Sequence, residues 1–80
     1  MKVHPSALKH GISAEDALQA SEWSLWVEPL SDDEDPRREL RLGYRPPRSP
    51  ARTVVLVSEA GDETLIHAMP ARRKYLDLLP

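Results

Sequence analysis

Histidine and arginine are the residues in this chain best suited to acid–base work on an anion. Imidazole titrates near neutrality and the guanidinium fork matches phosphate oxygens. His67 lies in Glu63-Thr64-Leu65-Ile66-His67-Ala68, which reads as a strand. Arg41 lies in the alternating stretch Arg38 to Tyr44, and Arg72-Arg73-Lys74 follows His67 at the start of a further helix. If Leu40 and Leu42 face the core, Arg41 faces away from it. If Ile66 also faces the core, His67 joins Arg41 on the free side of the sheet. Arg41, His67 and Arg72 would then form an anion-binding, proton-transferring cluster. The plainer reading is a solvated strand arginine, a surface histidine and ordinary helix decoration. Tyr75 is one helical turn from Arg72, so the two can share a face, and it serves equally as a packing residue. Trp23 and Trp26 can stack on bases, although a core short of aromatics would also take them.

Other chemistries lack their signatures. His4, His10 and His67 are far apart and have neither cysteine nor an i, i+4 partner, so they make no metal motif. The acidic run Ser31 to Pro36 lacks the glycine and ligand spacing of a calcium loop and reads as a solvated connection. Three glycines form no phosphate loop, and no Gly-x-Ser-x-Gly elbow is present.

The elements that would position these residues can be read along the chain. Pro5 to His10 reads as a short helix stopped by Gly11. Ser13 is a good N-cap, and Ala14-Glu15-Asp16 places two carboxylates in the first turn of a helix over 14–22. Ser24 to Leu30 alternates like a strand, with Pro29 at its end or edge. Arg38 to Tyr44 is a second strand, and the proline-rich stretch 45–50 connects it to the next. Thr53 to Val57 lacks polar alternation, as in a central strand covered on both faces. Gly61-Asp62 turns the chain into the fourth strand, 63–68. Pro70 takes a first helical position, and 71–79 forms a closing helix. The expected fold is α+β: two N-terminal helices, a four-stranded antiparallel sheet and one C-terminal helix, with the helices on one face.

Eighty residues make one domain, 1–80, with a thin core, because a chain this short buries only about 60% of its unfolded surface. The absence of cysteine removes disulfides, thiolate metal sites and thiol nucleophiles. No apolar run approaches the ~20 residues of a membrane span, and the N-terminus lacks a signal's apolar stretch. The expectation is a soluble, cytoplasmic protein with no membrane association. The net charge of −2 is unevenly spread: residues 1–36 carry two basic and eight acidic groups, whereas 37–80 carry nine basic and five acidic. The total argues against strong non-specific nucleic-acid binding, and the basic half leaves room for a local anion site.

Lys9-His10-Gly11-Ile12-Ser13-Ala14-Glu15-Asp16-Ala17 resembles the K-H-G-[VI]-[ST]-x-E-[ED]-A element of BrnT-type toxins of bacterial type II toxin–antitoxin systems. Arg41-Leu42-Gly43-Tyr44 is similar to that family's R-x-x-x-[IL]-G strand. Ile66-His67-Ala68-Met69-Pro70-Ala71-Arg72-Arg73 stands where the family has an I-S-A-R strand-to-helix junction. The resemblance implies a RelE-like α+β fold and metal-independent cleavage of messenger RNA that inhibits translation. It also implies a ribbon-helix-helix antitoxin, a toxin–antitoxin hetero-oligomer and no cofactor. Under it, His67 is the acid or base and Arg41 and Arg72 stabilise the phosphate. Lys9, His10, Arg73 and Tyr75 position RNA. The alternative is a non-catalytic module that binds a protein or nucleic acid through the same sheet face. A helix-turn-helix over 5–22 is disfavoured, because Glu15, Asp16 and Glu22 would face a polyanion.

Overall fold

The computed structural model describes residues 1–31 and 33–79. Its elements are β1 (Lys2–Val3), a 3-10 turn (Pro5–Leu8), α1 (Ala14–Glu22), β2 (Trp26–Ser31), β3 (Arg37–Arg45), β4 (Ser49–Val57), β5 (Glu63–Pro70) and a second 3-10 turn (Arg73–Leu78). The five strands form one sheet in the order β1-β5-β4-β3-β2. The pairs β2–β3, β3–β4 and β4–β5 are antiparallel, while β1 runs parallel to β5.

Local chemistry sets α1. The Ser13 hydroxyl accepts a hydrogen bond from the Asp16 amide at 3.1 Å, and Glu15 and Asp16 occupy the positive first turn. The buried side of the helix is Ala17, Ala20 and Ser21. Small side chains let the helix approach the sheet closely. At the contact point a Cβ on Gly43 would lie 2.3 Å from the Ala20 carbonyl oxygen, so only glycine fits there. The core joins Ala7, Ile12, Ala17 and Ala20 to Ala51, Val55, Val57, Leu65 and Ala68 on one sheet face.

This architecture corrects the expected one in three ways. Among the described residues there is one α-helix, and a 3-10 turn stands in place of the first expected helix. That stretch is confined between Pro5 and Gly11, whose φ is +80°, and is too short for a helix to sustain itself. The sheet is mixed and five-stranded, because Lys2 and Val3 pair with Thr64 and Leu65 at its edge. The closing helix is replaced by the turn Arg73–Leu78. Pro70 remains in β5, and the Ala71 amide bonds the Pro50 carbonyl at 3.1 Å, so the ladder takes the residues that would start a helix. The RelE-like arrangement of two N-terminal helices, a four-stranded antiparallel sheet and a C-terminal helix is therefore not the fold of this chain.

Three side-chain expectations also change. Gly43 faces α1, so by alternation Glu39 and Arg41 share the helix-bearing face, and Leu40 and Leu42 point to the other. The valine strand β4 alternates in burial: Ala51, Thr53, Val55 and Val57 are buried and the residues between them half-buried. The tryptophans stay out of the core: Trp23 is 75% exposed and Trp26 37%. The acidic connection after β2 includes Asp32, which lies outside the described residues.

Candidate functional site

The sheet face opposite α1 holds an open groove of about 420 Å³. Leu40, Val54, Ile66 and Leu30 supply apolar lining, and Arg38, Arg52, His67, Tyr75 and Ser6 bring polar groups to it. A bulge in β5 builds one wall. Val54 pairs with His67 and Val55 with Leu65, leaving Ile66 as the extra residue. Ile66 and His67 consequently both line the groove, where strict alternation would have put only one of them. The carbonyl of Ile66 accepts a 2.6 Å hydrogen bond from the Ser6 hydroxyl, which ties the bulge to the N-terminal 3-10 turn.

The same turn delivers His10. Gly11 adopts the left-handed conformation that ends the turn, and the His10 ring meets His67 edge to face, with centroids 5.0 Å apart. Burial first, and then the positive fields of His10 and Arg52, hold the His67 pKa below the ordinary histidine value. Neutral imidazole is thus the favoured form at neutral pH, ready to accept a proton.

Arg52 reaches the groove from β4, opposite Leu42. One terminal nitrogen donates to the Tyr75 hydroxyl at 3.2 Å, the other contacts the Met69 sulfur, and Nε is buried without a partner. Among the described residues no carboxylate forms an ion pair with it. Its guanidinium carbon also lies 5.5 Å from the Tyr75 ring centroid, and the Lys74 ammonium 5.1 Å. The hydrogen bond from Arg52, aided by the Lys74 charge, lowers the Tyr75 pKa below that of an ordinary phenol. An uncompensated guanidinium, a neutral imidazole and an acidified hydroxyl therefore share one groove. Glu28, opposite Leu40 on β2, is an exposed carboxylate on the same face.

The expected cluster divides between the two faces. Arg41 is on the helix side, donating to Glu39 at 2.9 Å and to Glu63 at 2.8 Å, with only 11% of its side chain exposed. Burial opposes its charge, but hydrogen bonds and attraction from Glu63 and Glu39 prevail and raise its pKa. Arg41 is therefore removed from the site: it is the cation of a two-carboxylate ion-pair network and points away from His67. Arg72 and Arg73 stand exposed at the start of the second 3-10 turn, and Lys9 is exposed beside His10. None of the three lines the groove. His10, His67 and Tyr75 do come together. Arg52, which sequence reasoning passed over, joins them. Its only signal was a cation preceding the apolar run of β4, and nothing in the spacing says which face it takes.

No protein-family model, curated protein or solved structure matches the chain. Among the described residues, no three His, Asp or Glu side chains gather closely enough to hold a metal ion, and no helix is long and apolar enough to cross a membrane.

Proposed function

We propose that this protein is the toxin of a bacterial type II toxin–antitoxin system, a metal-independent endoribonuclease that acts on messenger RNA in the cytoplasm, with the groove of His67, Arg52 and Tyr75 as its site and His10 packed against His67. The observation that carries the reading is Arg52, a groove cation with no carboxylate partner among the described residues, in one groove with an imidazole held neutral. Such a pair suits phosphodiester cleavage by the neighbouring ribose hydroxyl. His67 accepts the 2′-hydroxyl proton as the 2′-oxygen–phosphorus bond forms. Arg52 neutralises the charge that builds on the non-bridging oxygens. The bond to the 5′-oxygen breaks as that oxygen takes a proton from the acidified Tyr75 hydroxyl. His10 packs against His67 and disfavours its protonation. Arg38, which lines the groove, and Lys74, beside the Tyr75 ring, add positive charge for the phosphates.

A positive groove also defines its inhibitor: a ribbon-helix-helix antitoxin whose acidic or folding-on-binding segment covers these cations in a hetero-oligomer. Expression in a bacterial host, together with RNA cleavage in buffer containing a chelator, tests the reading. Wild type should arrest growth and cut RNA. His67→Ala should lose at least about a hundredfold in cleavage, the usual scale for a proton-transfer group, while still binding the antitoxin. Undiminished cleavage by His67→Ala would remove the mechanism. RNA binding without cleavage by the wild type would leave the groove as a binding module, a role that the Arg52–Tyr75 stack also suits.

A further inference from the structure

A second surface, on the α1 side of the molecule, has the opposite character. Trp23 closes α1 and is 75% exposed, and Leu25 and Val27, which follow at two-residue intervals into the edge strand β2, are 54% and 51% exposed. A small domain rarely exposes three large apolar side chains in succession along one stretch without a use for them. A shallow depression of about 350 Å³ lies between Leu18 and Trp23, bordered by Glu15, Gln19 and Glu22. Both glutamates are exposed.

We propose that this apolar strip with its carboxylate rim docks a basic amphipathic segment of a partner protein, independently of the RNA-cleaving groove. Leucine-type side chains would seat against Trp23, Leu25 and Val27, and flanking lysines or arginines would meet Glu15 and Glu22. The charge selects among occupants. Nucleic acid and anionic membrane are repelled by the rim, and a second copy of the chain would bring the same carboxylates against themselves. A basic segment alone satisfies both the apolar and the electrostatic character.

The probe is a short synthetic helical peptide with one leucine face and one lysine face. Two control peptides carry glutamate in place of lysine, or serine in place of leucine. Binding is read from the Trp23 emission in a Trp26→Phe background, and sedimentation is run in parallel. The leucine–lysine peptide should bind saturably, shift the emission to the blue and weaken as salt rises; the controls should not. By sedimentation, Trp23→Ser/Leu25→Ser, and separately Glu15→Lys/Glu22→Lys, should each weaken binding about tenfold or more, with circular dichroism confirming the fold. Because these residues are exposed, both variants should fold and leave RNA cleavage unchanged. Equal binding by wild type and variants, or no saturable binding, overturns the proposal. Self-association abolished by Trp23→Ser overturns it in favour of a second copy.

Discussion

His67 owes its chemistry to its neighbours. Its pKa lies below the ordinary histidine value because burial and the charges of His10 and Arg52 disfavour the imidazolium. In the unfolded chain His67 binds its proton near pH 6.5, whereas the folded state resists it. Folding stability should therefore be unaffected by this group above about pH 6.5 and fall as pH drops toward the folded pKa. Urea midpoints across that window should show the fall in wild type and a smaller one in His67→Gln. Glu63 acts in a separate, lower window. The Arg41 hydrogen bond depresses its pKa, so its contribution is present above about 4.5 and is lost as pH falls through the folded value. Cleavage should persist below pH 6.5, failing only where His67 itself protonates. A loss of rate on acidification centred above that pH would mean another group accepts the proton, whereas a loss on the alkaline side would report the Tyr75 hydroxyl.

Two contacts between elements decide which residues face the groove. Gly43 sits under the Ala20 carbonyl, and an added methyl would collide with backbone at 2.3 Å. Gly43→Ala should cost about 1–3 kcal/mol, the usual range for overpacking, read as a lower urea midpoint; an unchanged midpoint would mean that α1 does not approach β3 so closely. The second contact spans three strands: Arg41 on β3 bonds Glu39 beside it and reaches Glu63 on β5. Arg41→Met should also cost about 1–3 kcal/mol, because Glu63 loses its cation and Glu39 keeps only the longer 3.4 Å pair with Arg37. It should leave cleavage per folded molecule intact. An Arg41→Met variant that is stable but inactive would return Arg41 to the site.

For the molecule as a whole, the groove face carries the cations of β3, β4 and the second 3-10 turn that lack a carboxylate partner among the described residues, whereas Arg37 and Arg41 on the other face are paired with Glu39 and Glu63. RNA contacts through Arg38, Arg52 and Lys74 number about three, so the slope of log affinity against log salt should be near −2 for a single strand. A slope several times steeper would place RNA on a far larger surface. Part of this molecule was legible in the residue order: the Ser13-capped helix over 14–22 and the approximate places of β2 to β5 follow from capping, apolar patterning and glycine punctuation, whereas β1 and the entry of Arg45, Ser49 and Pro50 into the ladder did not. The histidine of the Lys-His-Gly element and the strand histidine were also identifiable by type. Which face each residue takes was not legible, because β4 carries apolar side chains on both sides and it is the charged side of β3 that meets α1, so alternation gives a period without a phase. Three tertiary facts supplied the phase: the approach of Ala20 to Gly43, the bulge at Ile66, and the capture of residues 70–71 by the β4–β5 ladder. They moved Arg41 away from the groove, kept His67 in it and introduced Arg52. Local chemistry determines elements, but only packing against a specific neighbour chooses between the two sides of a sheet.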